Sequence, residues 1–205
     1  MAVALHTNAG FVSASPVDDP AASRSGTVYS CDNRAVVVRD TAPVGATTIT
    51  ELGWWCDTAS EAANFELGLY DSDGAVAPGE AGTLLYKSEA TAKGTAAGWK
   101  KITGLNISIT AEHVYWLALQ LDNTATTTMI DGESSGGSGV DANTSATTTL
   151  LDPFGGGAIS DTDGMYCVYA VWASGAQTYL ASGAVNESGV ASRLLALNRS
   201  ESGAF

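Results

Sequence analysis

The chain has 205 residues, 45% of them hydrophobic, with 22 Asp plus Glu against 9 Lys plus Arg and a formal net charge of -13. That apolar share is too high for a disordered chain, and no run of about 18 apolar residues is present to span a bilayer, so one sizeable β domain with arms or long loops is the natural count. The excess of acid repels phosphate backbones, which excludes nucleic acid as a partner and suits an exposed surface in salty water.

Residues 1–26 are rich in Ala, Ser and Pro, with Pro16 and Pro20 bracketing Asp18 and Asp19, and read as an extended arm rather than part of the core. The opening MAVALHTNAGFVSASPVDDP has no basic n-region and no continuous apolar h-region, so no secretory signal is expected. Thr27–Arg39 (TVYSCDNRAVVVR) reads as a strand pair or one long bent strand, firmest at Val36 to Val38. A turn around Pro43 and Gly45 follows. Ile49–Asp57 (ITELGWWCD) is a strand with Leu52, Trp54 and Cys56 on one face and Glu51, Gly53 and Trp55 on the other. Asn64–Asp71 (NFELGLYD) continues the rhythm, with Phe65, Leu67 and Leu69 inward and Glu66, Gly68 and Tyr70 outward. After a turn region at Ser72–Gly82, Thr83–Ala90 (TLLYKSEA) is a shorter strand.

Gly98–Asn123 (GWKKITGLNISITAEHVYWLALQLDN) organises the rest. Leu105, Ile107 and Ile109 alternate with polar residues in one run. Tyr115, Leu117, Leu119 and Leu121 alternate with Val114, Trp116, Ala118 and Gln120 in the next. Ala111, Glu112 and His113 separate the runs, which predicts a hairpin or short arch and a half-buried antiparallel sheet. Residues 124–149 are dominated by Thr, Ser, Gly and Ala and read as a flexible loop or surface meander. Leu150–Phe154 and Ile159 read as a short strand and turn. Met165–Ala173 (MYCVYAVWA) is a central strand, bulky on both faces. Residues 174–205 fall outside the strand rhythm as an irregular tail. The domain reading is therefore an arm at 1–26, a sandwich at 27–173 and a tail at 174–205.

Residues 49 to about 122 resemble the choice-of-anchor and carbohydrate-binding-like jelly-roll surface domains of bacterial and phage proteins. The resemblance rests on an ordered series: a strand ending in Tyr70 and Asp71, a turn with Pro78 and Gly79, a short strand with Leu84 and Leu85, a Gly98–Trp99 step, and a strand opening Tyr115, Trp116, Leu117. It covers a little over a third of the chain. It implies an all-β jelly-roll sandwich used for adhesion or display, not a reaction.

The candidate ligand-binding residues are Glu51, Trp55, Glu66, Tyr70, Trp116 and Gln120, which alternation places opposite the Leu-rich core. Flat rings stack on sugar C–H surfaces while carboxylates and amides bond hydroxyls, so this face suits a glycan; the competing use is packing within the chain or against another subunit. Trp54, Trp99 and Trp172 are expected in the core. Glu51 and Glu66 on adjacent strands could supply the paired carboxylates of glycoside hydrolysis, but no third catalytic element accompanies them. His6 and His113 have no serine-nucleophile motif near them. Asp71 and Asp73 in YDSDG, like Asp161 and Asp163 in SDTDG, read as turn aspartates rather than calcium ligands, since the Glu twelve positions along is missing. Cys31, Cys56 and Cys167 lack zinc spacing and read as small buried hydrophobes, with a Cys31–Cys56 bridge open as an alternative. Asn106, Asn143, Asn186 and Asn198 fit N-x-S/T, which matters only in a eukaryotic secretory setting. No catalytic residue, metal or cofactor is expected. The resulting functional expectation is a non-enzymatic structural subunit at the surface of a phage-like virion (capsid decoration, head fibre or tail-associated), partnered by other virion subunits or by itself, with neither nucleic acid nor membrane. The alternative is a carbohydrate-binding adhesion module, extracellular or at a cell surface.

Overall fold

Two alternating strands with one apolar face each must hide those faces against one another, and β4 (Ala46–Cys56) and β5 (Asn64–Asp71) do so from opposite sides of a shared core. Trp54 of β4 meets Phe65 of β5 edge to face at a ring-centroid distance of 5.7 Å. The structure, a computed structural model, describes residues 8–17, 20, 28–30, 33–57, 62–74, 80–122, 128–130, 142–154, 160–162 and 166–175. Among these every regular element is a strand.

The remaining strands are β1 (Gly10–Val12), β2 (Val28–Ser30), β3 (Arg34–Thr41), β6 (Leu84–Lys87), β7 (Thr91–Ala92), β8 (Gly98–Ser108), β9 (Val114–Leu121), β10 (Thr128–Ile130), β11 (Ala142–Ala146), β12 (Ser160–Thr162) and β13 (Val168–Ser174). One sheet has the order β1-β13-β4-β8; the other runs β12-β11-β3-β9-β5-β6, with β7 also on β5, and β2 and β10 form a separate ribbon. The architecture is an all-β sandwich. Its core holds the expected inward set: Leu52, Trp54 and Cys56 from β4, Phe65, Leu67 and Leu69 from β5, and Tyr115, Leu117, Leu119 and Leu121 from β9.

The Gly98–Asn123 stretch is an arch, not a hairpin. β8 pairs with β4 in the first sheet, whereas β9 lies between β3 and β5 in the second. Glu112, at φ 61°, turns the chain, and the crossing is pinned to the β3–β4 connection by Ala42 N–H to His113 O and Glu112 N–H to Ala42 O, each 2.8 Å. Ile107 and the β9 leucines can then face one core from its two sides, which a hairpin would not allow. β8 is an edge strand, and Leu105 and Ile109 are only partly buried against the core. Between the Ile49–Ile107 and Glu51–Thr103 pairs the register shifts, forming a bulge in which Gly104 takes φ 72°.

Four further expectations change. The 1–26 segment is not all arm: β1 runs parallel to β13, and Phe11 packs on the core while its N–H donates to Asp40 Oδ2 at 2.7 Å. Burial pushes the Asp40 carboxyl up, against the N–H groups of Phe11 and Thr41 that hold it down. Thr27–Arg39 divides between β2 in the ribbon and β3 in the second sheet. The 124–149 stretch contains β10 and β11, the latter pairing with β3. Residues 150–154 form a strap of irregular backbone rather than a strand. β13 is central in its sheet, as expected. One compact unit ends at Gly175, and residues 176–205, the bulk of the predicted tail, lie outside the described residues, as do Cys31, Ile159, Asp163, Asn186 and Asn198.

Candidate functional site

Alternation along β4, β5 and β9 does point the six candidate residues away from the core, but a sandwich has two outer faces and they divide between them. Glu51 and Trp55 stand on the outer face of the first sheet; Glu66, Tyr70, Trp116 and Gln120 stand on that of the second. Glu51 and Glu66 therefore lie on opposite sides of the molecule, and the adjacent-strand carboxylate pair expected of a glycosidase is not formed.

The second sheet's outer face is covered by the chain itself. Residues 147–154 cross it, with Leu150 and Phe154 buried against Ala35, Val37, Tyr70, Trp116 and Ala118. Glu66 anchors this strap: Leu150 N–H donates to its Oε2 at 2.7 Å, Thr149 Oγ1 donates at 2.9 Å, and Lys87 Nζ stands 3.6 Å from Oε1. Tyr70 OH donates to Leu151 O at 2.8 Å, and its ring meets Phe154 edge to face at 5.1 Å. Gln120 Nε2 donates to Thr147 O at 3.1 Å. Gly68 has no side chain where Leu150 Cδ1 comes to rest. The face is closed by packing within the chain, the use that competed with a glycan: Tyr70 is 0%, Trp116 1% and Gln120 1% exposed. The strap's bulky apolar residues exclude water that a bare sheet would have met, so the neighbouring strands are buried on both faces.

The first sheet's outer face is built in rows. Trp55 pairs across strands with Trp99, Gly53 with Lys101 and with Tyr169, and Glu51 with Thr103 and with Val171. Tyr169 extends its ring over Gly53, whose added Cβ would fall 2.5 Å from Tyr169 Cε1. Trp99 contacts both Trp55 and Tyr169 edge to face, each at 5.3 Å, so Trp99 belongs to this outer cluster and not to the core where it was expected. Tyr169 OH and Ser15 Oγ each donate to Glu51 Oε1 at 2.6 Å, and Lys101 Nζ is 3.5 Å from Oε2. Trp54 is in the core and Trp172 partly buried against it.

No family model, curated protein or solved structure matches this chain.

Tyr169, Ser15, Thr149 and Leu150 escaped the sequence reading. Tyr169 alone left a signal, a bulky residue two places from Cys167 on a strand with large side chains on both faces. At the sandwich end, His113 Nε2 bonds Asp71 Oδ1 at 2.7 Å and its ring packs on Tyr115 at 4.7 Å. Asp73 accepts from Thr83 N and Oγ1 at 2.7 and 2.6 Å, which holds its carboxyl below the usual range. Asp73 thus serves the turn, while Asp71 Oδ1 is shared between His113 and the turn's Ser72 N–H, which donates to it at 2.7 Å. Among the described residues no group of three or more His, Cys, Asp or Glu could hold a metal ion.

The two outer-face tyrosines make the fold sensitive to alkali. Burial, then the nearby Asp152 and Glu66, pushes the Tyr70 phenol far above its usual value; burial, then the Glu51 carboxylate, does the same to Tyr169 despite Ser15. A folded value above the unfolded one means full stability below about pH 10 and a loss as pH rises further, by about 1.4 kcal/mol per pH unit for each phenol. Denaturant unfolding between about pH 9 and 12 is expected to show this slope, and Tyr70→Phe to remove one phenol's share of it.

Proposed function

We propose that the chain is a non-enzymatic structural subunit, a jelly-roll sandwich serving display or assembly at the surface of a phage-like particle and contacting other particle subunits or further copies of itself. One observation carries this reading: the polar groups of the candidate faces are spent inside the chain. Glu51 receives Tyr169 and Ser15, Glu66 receives Thr149 and Leu150, Tyr70 serves Leu151, and Gln120 serves Thr147. Carboxylates held in this way fasten loops to sheets and do not stand ready for proton transfer to a substrate. A strapped sandwich with a long edge strand is suited to carrying load between neighbours. Sedimentation of the purified chain tests the proposal: a multimer is expected, and a monomer whose two ends both resist protease would overturn it.

The second reading, a carbohydrate-binding adhesion module, is favoured by the half-buried Trp99 beside Trp55 on the first sheet. The four candidate residues of the second sheet do not support it, because the strap occupies their face.

A further inference from the structure

We propose that two copies of this chain join along β8, edge to edge and antiparallel about a two-fold axis, so that their first sheets become one; the proposal rests on the structural reading above and names its partner and its surface. Among the described residues the first sheet ends in β1 and β8, the second in β12 and β6. β1 and β12 have three residues each, and β6 has four, with the two-residue β7 beyond it along β5. β8 has 11. An unpaired strand presents a row of N–H and C=O groups to any second strand. Head-to-tail pairing would need another long edge on the same molecule, and the described residues offer none. β8 therefore finds its match in a second β8, which closes the assembly at two copies instead of propagating a fibre.

The guards on this edge stand on one half of it. Lysines and a bulge are devices by which edge strands resist pairing, and Lys100, Lys101 and Gly104 all come before residue 105. Residues 105–108 carry no charge. Ile109 N–H donates inward to Thr47 O at 2.9 Å, so by the alternation of the ladder the Ser108 N–H points outward to the free edge. On the inner face Ile102, Leu105 and Ile109 pack against the core yet stay only partly buried, since no described strand stands beyond them. A second β8 lays the same three side chains alongside and carries the core across the junction.

Charge selects the register. An axis at Asn106 keeps the lysines of the two copies at opposite ends of the joined strands. It also sets Lys100 of each copy at the level of Glu112 of the other, which is exposed on the arch. Lys100 pairs with Trp54 and so shares its core-facing side, toward which the arch crosses. Its Nζ donates one of three protons to Ala96 O, leaving two for a carboxylate. β8 contains no acid in a chain of net charge -13, so two copies repel least when they meet at this edge.

Sedimentation equilibrium of the whole chain is expected to show a dimer. Glu112→Lys replaces one negative charge by one positive, taking -13 to -11, and would tighten a dimer governed by overall repulsion. Facing Lys100 at two symmetric places, it is instead expected to raise the dissociation constant about fivefold or more. Ser108→Pro removes the outward donor at an edge position that tolerates proline, and is expected to raise it about tenfold or more. Amide exchange in the unmodified protein requires no variant to fold: Ile109 N–H is slow at every concentration, whereas Ser108 N–H is expected to slow only as the dimer forms. A Ser108 N–H protected equally in dilute monomer means that the chain covers its own edge, and overturns the proposal. A multimer indifferent to both variants overturns it too, but leaves the structural reading standing with its interface elsewhere. A chain monomeric at every concentration rules out the dimer, and takes the structural reading with it only if both ends also resist protease.

Discussion

Glu66→Ala is expected to destabilise the fold by about 3 kcal/mol and to lower Tm by about 6–12 °C, because one carboxylate holds the strap. Its removal leaves Leu150 N–H and the Thr149 hydroxyl without their acceptor in a region that admits little water, Glu66 being 8% exposed. Each buried orphan costs about 1–3 kcal/mol, and the charge-assisted bond to Leu150 lies toward the upper end. Glu66→Gln keeps an acceptor but replaces the second oxygen with a donor that faces other donors, so a smaller loss of about 1–2 kcal/mol is expected. Lys87→Met separates the carboxylate's hydrogen bonds from its ion pair: the Lys87 side chain is 37% exposed and 3.6 Å away, so its loss is worth under about 0.5 kcal/mol. Denaturant unfolding gives the three values. Proteolysis then localises the damage, with new cleavage expected at 147–154. A Glu66→Ala protein as stable as its parent would mean that the strap is held by Leu150 and Phe154 packing alone.

The strap also marks where the sequence stops being legible. β5 was readable to its first and last residue because a strand facing one core shows period two without interruption, as Phe65, Leu67 and Leu69 do. β4 and β9 were readable for the same reason. What alternation cannot state is which strand becomes whose neighbour, or what lies on a strand's other side. Five residues between β8 and β9 permit a hairpin or an arch equally; the arch forms because Ala42, distant in sequence, binds the turn through two backbone hydrogen bonds. The three residues of β1 are too few to carry a rhythm, and their partner β13 is almost the whole chain away. Thr147 to Phe154 has no periodicity at all. Its place is dictated by Glu66, Tyr70 and Gln120, residues recognisable as outward-facing polar and aromatic groups yet silent about whether they await a ligand or hold a loop. The six candidate residues do point away from the core, and the error lay in joining two faces into one.

The other large effect is expected at Gly53, where the first outer face depends on a missing side chain. A Cβ there would sit 2.5 Å from Tyr169 Cε1 and from its hydroxyl oxygen, closer than nonbonded atoms tolerate. The ring has nowhere to go. Its hydroxyl is tied to Glu51 at 2.6 Å, its neighbour Trp99 lies 5.3 Å away, and it is 0% exposed. Gly53→Ala is therefore expected to cost about 3 kcal/mol, at the upper end for overpacking a rigid site. Gly45 provides the contrast: at φ 81° and with nothing within 4 Å of an added Cβ, it is a glycine for backbone reasons, and Gly45→Ala should cost about 1 kcal/mol. A double-mutant cycle distinguishes the two causes. In a Tyr169→Ala background the Gly53→Ala change should cost less than about 0.5 kcal/mol, a coupling of about 2.5 kcal/mol, whereas Gly45→Ala should cost the same in either background. If Gly53→Ala proves equally costly with and without Tyr169, the ring does not lie over that glycine, and the row that places Trp99 beside Trp55 loses its footing with it.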